Sequence, residues 1–191
     1  MPAEQTQEQG RKGVALVQRW LESTTYLELN WNVYDNSAMC EVEHLNGVKY
    51  FDLAGSFLGA NRREVFVENK NYSSDSGQYA HFQEFLAIAY SATAKVKIAG
   101  RMDRATEFIW VTTHPFSLKR WSSLASEAEV KLALAARPEF LGDTEVDDDI
   151  VRVVTGRIWV LVMHEKQIDL SLTQPEVWQV LALLKRKEAT L

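Results

Sequence analysis

The sequence predicts an α/β fold in which a mixed central sheet is flanked by helices, and three observations carry that expectation. From Glu64 to Lys70 polar and apolar residues alternate (Glu-Val-Phe-Val-Glu-Asn-Lys), the period of a half-buried strand. Over residues 78–93 the apolar side chains Tyr79, Phe82, Phe85, Leu86, Ile88, Ala89 and Tyr90 cover more than one helical face, so that helix is expected to be buried against the sheet. Glu107 to Thr113 then reads as another strand, and a strand that returns through a helix lies parallel to its predecessor by a right-handed crossover.

The other elements follow in chain order. Residues 1–10 are polar and expected to be a flexible N-terminus, leaving 11–191 as a single domain. Val14, Leu16, Val17, Trp20 and Leu21 recur at helical spacing, which predicts an amphipathic helix from Arg11 to about residues 23–25. Leu29 to Glu43 reads as a strand interrupted by Asp35-Asn36-Ser37, or as two short strands around that turn. Asn46-Gly47 marks a tight turn into a strand from Val48 to Leu58, loosened at Gly55. Residues 59–62 separate it from the Glu64–Lys70 strand, so the two are expected to pair as an antiparallel hairpin that brings Asp52 beside Glu68.

Asp75 or Ser76 is placed to cap the buried helix. Ser126-x-x-Glu129 is a capping-box signature for a helix through Ala136, stopped by Pro138. The acids between Asp143 and Asp149 read as a solvated turn and a favourable N-terminus for a helix over 150–155. Arg157 to His164 reads as a buried strand, and Thr173-x-Pro-Glu176 opens a last amphipathic helix, Val177 to Lys187.

Composition narrows the class. The chain of 191 residues is 46% hydrophobic and 25% charged, ordinary for a soluble globular domain with a full core. A single cysteine, Cys40, rules out an intramolecular disulfide and suits a reducing compartment. The start has no basic region followed by an apolar stretch, and the longest apolar run, Ile158 to Met163, is too short for a bilayer. A cytoplasmic protein without membrane contact is expected. Four histidines without paired spacing give no support to a zinc site.

One constellation carries chemistry: Asp52 on one strand, then Glu68-Asn69-Lys70 on the next, followed at once by a helix. Val-Phe-Val before the acid makes this strand central, where two charges need a purpose beyond a solvated ion pair. The arrangement resembles the PD-(D/E)xK superfamily of restriction-endonuclease-like phosphodiesterases. Its αβββαβ core matches the order helix, strands, acidic hairpin, helix, strand, here with a strand and a helix added at the C-terminus. The resemblance implies a Mg²⁺ or Mn²⁺ site whose protein ligands are Asp52, Glu68 and the backbone carbonyl of Asn69. It implies that Lys70 orients the attacking water or stabilises it once deprotonated. Phe51 stands where the superfamily often has proline, and no Gln-x-x-x-Tyr follows the lysine. A second acid-x-lysine, Glu129-x-Lys131, lies in a helical pattern without a preceding strand-borne acid and serves as an internal control.

Further site candidates are Glu22 and Glu28, for the acid that many members carry on the first helix, and Gln83 on the buried helix. The function implied is a Mg²⁺-dependent endonuclease acting on DNA in a bacterial restriction, anti-phage defence or mobile-element system. A non-catalytic nuclease-fold subunit for binding or assembly is the alternative, and RNA cleavage the third. Nucleic-acid contacts are expected from Arg62 and Arg63 on the loop between the site strands, and from Lys95, Lys97, Arg101 and Arg104, unless these are merely solvated. A net charge of −5 is poor for holding nucleic acid alone. A homodimer, an ATPase or helicase partner, or a targeting subunit is therefore expected to share the grip.

Overall fold

A computed structural model describes residues 3–58, 62–71 and 77–184 of the chain. Helix α1 (Ala3–Thr24) buries Val14, Val17 and Leu21, the apolar stripe read from the sequence. It starts at Ala3 rather than Arg11, so the segment expected to be flexible forms its first turns; Glu and Gln are good helix formers, and the helix runs on unbroken through Gly10. Two short strands, β1 (Leu27–Asn32) and β2 (Glu41–His44), flank the Asp35-Asn36-Ser37 turn and a 3₁₀ turn at Ser37–Cys40.

The stretch expected as one strand from Val48 to Leu58 is two. Strand β3 (Gly47–Tyr50) pairs only with β2 in a separate two-stranded sheet, whereas β4 (Leu53–Phe57) enters the main sheet. The backbone changes partner at Phe51–Asp52. The Phe51 N–H donates to the Cys40 carbonyl at 2.9 Å, while the Asp52 carbonyl accepts from the Val33 N–H at 3.0 Å. Burial of the Phe51 ring against Phe66, Phe85 and Phe108 pins the bend.

Strand β5 (Glu64–Lys70) has the limits read from its alternation and is the centre of the five-stranded order β1-β4-β5-β6-β7. It pairs antiparallel with β4, Leu53 opposite Val67 and Ser56 opposite Glu64. Helix α2 (Gln78–Ile98) crosses to β6 (Glu107–Thr112), which lies parallel to β5 as expected. Gly77, at φ 73°, precedes α2; Asp75 and Ser76 lie outside the described residues. Helix α3 (Glu127–Ala136) begins where Ser126 Oγ accepts from the Glu129 N–H at 3.3 Å. In α4 (Asp148–Thr155) the Asp147 carboxylate accepts from the Asp149 and Ile150 N–H groups, so part of the acidic run is a helix cap. Strand β7 (Ile158–Val162) adds a second parallel pair, and α5 (Gln174–Leu184) opens where Thr173 donates to Glu176 at 2.6–2.7 Å.

The sheet therefore has helices on both faces. Val65 and Val67 pack with α1, Leu29, Leu53 and Val111, while Phe66 packs toward α2, Phe108 and Trp110. By the same alternation Asn69 shares the α1 face, and Glu68 and Lys70 share the α2 face. Among the described residues no helix is long and apolar enough to cross a membrane.

Gly55 marks close approach rather than looseness. A Cβ there would overlap the Glu28 carbonyl oxygen and come within 2.7 Å of the Leu29 Cα, both backbone atoms of β1. Gly55→Ala is expected to cost about 2 kcal/mol by forcing these strands apart. Denaturant unfolding measures it; an unchanged midpoint would show that the β1–β4 contact yields freely.

Candidate active site

Asp52 sits where the chain leaves β3 for β4, one residue beyond the Leu53–Val67 pair and level with Glu68. Its Oδ2 accepts the Asn69 backbone N–H at 2.7 Å. Lys70 meets Glu68 directly, and Asp52, delivered by a chain bend rather than by a continuous hairpin strand, is near enough for the Glu68 charge to act on it.

Glu68 is only 4% exposed. Its Oε1 takes two ammonium groups, Lys70 Nζ at 2.7 Å and Lys49 Nζ at 3.0 Å. Its Oε2 is buried and, among the described residues, has no hydrogen-bond partner. A buried carboxylate oxygen without a donor is costly and calls for a cation or water. Burial, and next the neighbouring Glu68 charge, push the Asp52 carboxyl up to about 6, against the opposing pull of the Asn69 N–H and the two lysines. Two carboxylates crowded so that one resists ionisation form a donor set that a hard divalent cation would relieve. Among the described residues no group of three or more His, Cys, Asp or Glu side chains is placed to hold a metal ion.

On the α1 side, Asp52 also lines a cleft of about 250 Å³ with Gly10, Gly13, Tyr34, Asn69 and Asn71. The helix comes close because two glycines face the strand ends. A Cβ on Gly13 would lie 3.2 Å from Asn69 Nδ2, and one on Gly10 would overlap the Tyr34 hydroxyl. Burial and then Asp52 raise the Tyr34 phenol, while Arg11, 5.5 Å from its ring centroid, lowers it.

Lys49 and Tyr34 were not singled out from the sequence. Lys49 had a signal: it lies two residues before Phe51, on the face that alternation turns inward. Tyr34 had none, because its place depends on where α1 crosses the sheet.

The remaining candidates fall elsewhere. Glu22 accepts the Leu29 N–H at 2.9 Å and so fastens the start of β1. Glu28 pairs with Ser56, which pairs with Glu64. Four residues along β5 separate that row from Glu68, about 13 Å at the usual strand rise. Gln83 is half-buried on α2 and, among the described residues, makes no hydrogen bond to the site.

The six cations expected to contact nucleic acid lie around the opposite end of the sheet, and each is paired with an acid. Arg62 meets Glu28 at 3.9 Å, Lys95 and Arg101 meet Glu43 at 3.4 and 3.6 Å, and Lys97 meets Asp147 at 2.7 Å. Arg104 meets Glu64 at 2.7 Å, and Arg63 bonds the buried Glu107. Sequence clustering marked them as basic without revealing acids contributed by distant elements. The control motif separates as well: Glu129 binds Arg120 and the Tyr79 hydroxyl, while Lys131 reaches Asp148 at 2.8 Å.

No protein-family model matches the chain, and no curated protein matches it. Among solved structures, it is similar to the Moraxella osloensis Cap4 SAVED/CARF-domain containing receptor at 12% identity and a TM-score of 0.36, over 99% of this chain and 44% of that one. It is also similar to the Acinetobacter baumannii Cap4 SAVED/CARF-domain containing receptor with the cyclic trinucleotide 3'3'3'-cAAA, at 12% identity and a TM-score of 0.32, over 94% of this chain and 42% of that one. The chain thus spans less than half the length of either, and likeness at this level carries no argument about function.

Proposed function

We propose that the chain is a metal-dependent phosphodiesterase with a restriction-endonuclease-like core, acting on DNA. The observation that carries this reading is the half-buried Asp52 beside the buried Glu68, with Lys70 on one oxygen of Glu68 and the other oxygen unpartnered among the described residues. The order α1, β1, β4, β5, α2, β6, with an antiparallel trio of strands followed by a parallel one, supports the αβββαβ assignment. The hairpin of β2 and β3 is then an insertion between the first two core strands, with β7 and α5 as C-terminal additions.

Asp52, Glu68 and the Asn69 carbonyl would hold Mg²⁺ or Mn²⁺, which when bound lowers the pKa of a water and offsets charge on the transferring phosphate. The protein's own part is positional. Asn69 holds Asp52 through its N–H, and pairing of β5 along β6, with Glu68 opposite Trp110, fixes Glu68. Lys70, two residues on and on the same face, places an ammonium group where the attacking water would be oriented. Restriction, anti-phage defence or mobile-element biology follows from the family resemblance. The net charge of −5 and the internally paired cations at the far end support a shared grip on DNA through a second copy or a partner subunit. The same facts favour, as the second reading, a non-catalytic subunit of a nucleic-acid-processing complex.

The test is cleavage of supercoiled plasmid and of labelled single-stranded DNA and RNA with Mg²⁺, Mn²⁺ or chelator, the wild type beside Lys70→Ala. Cleavage is expected to need the metal and to fall roughly 10²-fold in the variant, as for a lost transition-state contact. Metal binding should persist in Lys70→Ala. Equal, chelator-resistant cleavage by both proteins would reject the assignment, and absence of cleavage with every metal would favour the subunit reading.

A further inference from the structure

We infer that Lys49, on one oxygen of Glu68, balances in the metal-free protein the charge that a divalent cation on the other oxygen would take over, and that the cation displaces it toward the substrate phosphate. The inference rests on the proposed metal site and deepens it. Lys49 Nζ and Lys70 Nζ bind the same Glu68 oxygen, at 3.0 and 2.7 Å. With Asp52 beside them, two positive groups meet two negative ones, so the metal-free site is close to neutral only while both lysines stay. Adding a doubly charged ion leaves an excess of positive charge in a buried place, which a moving lysine or an arriving phosphodiester must correct.

The fold selects which lysine moves. Lys70 is carried by the central strand β5 and is itself paired along β6, opposite Thr112, with its carbonyl accepting from the Thr113 N–H at 3.1 Å. Lys49 comes from β3, whose strand partner among the described residues is β2 alone, in the separate hairpin, and its shorter tether to the main sheet is the bend at Phe51–Asp52. Its side chain is 30% exposed and reaches Glu68 past the Phe51 ring, with Nζ 5.8 Å from the centroid. A long, half-exposed stem of this kind can turn its ammonium outward without disturbing the core. Freed from Glu68, that charge lies at the mouth of the site, where it would engage the anionic substrate.

The test is calorimetric titration of the whole chain with Mn²⁺ in the absence of nucleic acid, comparing wild type, Lys49→Met and Lys49→Arg. Because methionine removes the competing charge, Lys49→Met is expected to bind Mn²⁺ about tenfold more tightly, the scale of one charge-assisted hydrogen bond. Lys49→Arg should stay near wild type. With an oligonucleotide substrate, Lys49→Met should raise KM more than it lowers kcat, because the lost group contacts the phosphate rather than the metal. Should Lys49→Met fail to fold, Lys49→Gln, which keeps a donor for Glu68, carries the same expectation. Wild type that binds Mn²⁺ beside a Lys49→Met variant that binds no more tightly would overturn the inference and leave the nuclease reading standing. Tighter binding by both Lys49→Met and Lys49→Arg would overturn it too, since charge would not be the cause. Folded proteins that bind no Mn²⁺ at all would remove the metal reading and this inference with it.

Discussion

Glu68→Ala is expected to reduce metal-dependent cleavage about 10³-fold, the largest loss of any single substitution in the chain. The reason is that Glu68 is touched by both Lys49 and Lys70, while its charge also crowds Asp52. On the proposed reading, removing it takes away a ligand of the cation and releases Lys49 and Lys70 together, so charge balance and the placement of Lys70 fail at once. The fold should survive, because the lysines are each about 30% exposed and can turn to solvent, and Asp52 gains from a site with one negative charge fewer. Single-turnover cleavage and Mn²⁺ titration read the loss, and thermal unfolding checks that structure is retained. Glu129→Ala is the control. It removes the acid of the other acid-x-lysine and should leave cleavage intact while destabilising the fold, since it strips Arg120 and Tyr79 of a buried partner. A Glu68→Ala variant that unfolds yet keeps its activity would make Glu68 structural and send the search for the site elsewhere.

How much of this was legible in the sequence depends on the range of the forces involved. Strand β5 was readable residue by residue because alternation is local and both neighbours of the strand bury what it dictates. The bend at Phe51–Asp52 was not, since Val48 to Leu58 contains no proline and the break in alternation at Tyr50-Phe51 does not by itself mark a change of sheet. Only the tertiary choice of Cys40 and Val33 as hydrogen-bond partners splits it. Gly55 was read as a weak point in the strand, whereas it is the place where β1 comes closest; one glycine signal serves both meanings. The Glu68–Lys70 contact was legible because their spacing on one strand is local, and Asp52 entered through the hairpin expected between its segment and β5. Lys49 was passed over because its partner Glu68 is nineteen residues away on another sheet. The fate of Glu22, fastened to the Leu29 N–H, likewise required knowing how α1 turns into β1.

Asp52→Asn should stabilise the metal-free protein at neutral pH, against the usual cost of altering a buried polar group. The Asp52 carboxyl lies at about 6 rather than at its ordinary 3.8, chiefly through burial and then through Glu68. A group whose pKa is higher in the folded state binds its proton more tightly there, so the stability it contributes is complete below about 3.8 and disappears as the pH rises through about 6. At pH 7 the ionised carboxylate therefore opposes folding by up to about 3 kcal/mol. The amide, which carries no charge and keeps an oxygen for the Asn69 N–H, removes that opposition. Urea unfolding in chelator should find the variant more stable than wild type at pH 7.5 and close to it at pH 4. Mn²⁺ should narrow or invert the difference, because the ion stabilises the protein whose acid it binds and leaves the amide largely unaffected. The same proton competes with the metal, so cleavage should fall as the pH drops through about 6. A variant less stable than wild type at both pH values would mean that Asp52 is held by its bond to Asn69 more than it is strained by burial. The acid would then be a brace for the β3–β4 bend, and the pull toward a cation would have to come from Glu68 alone.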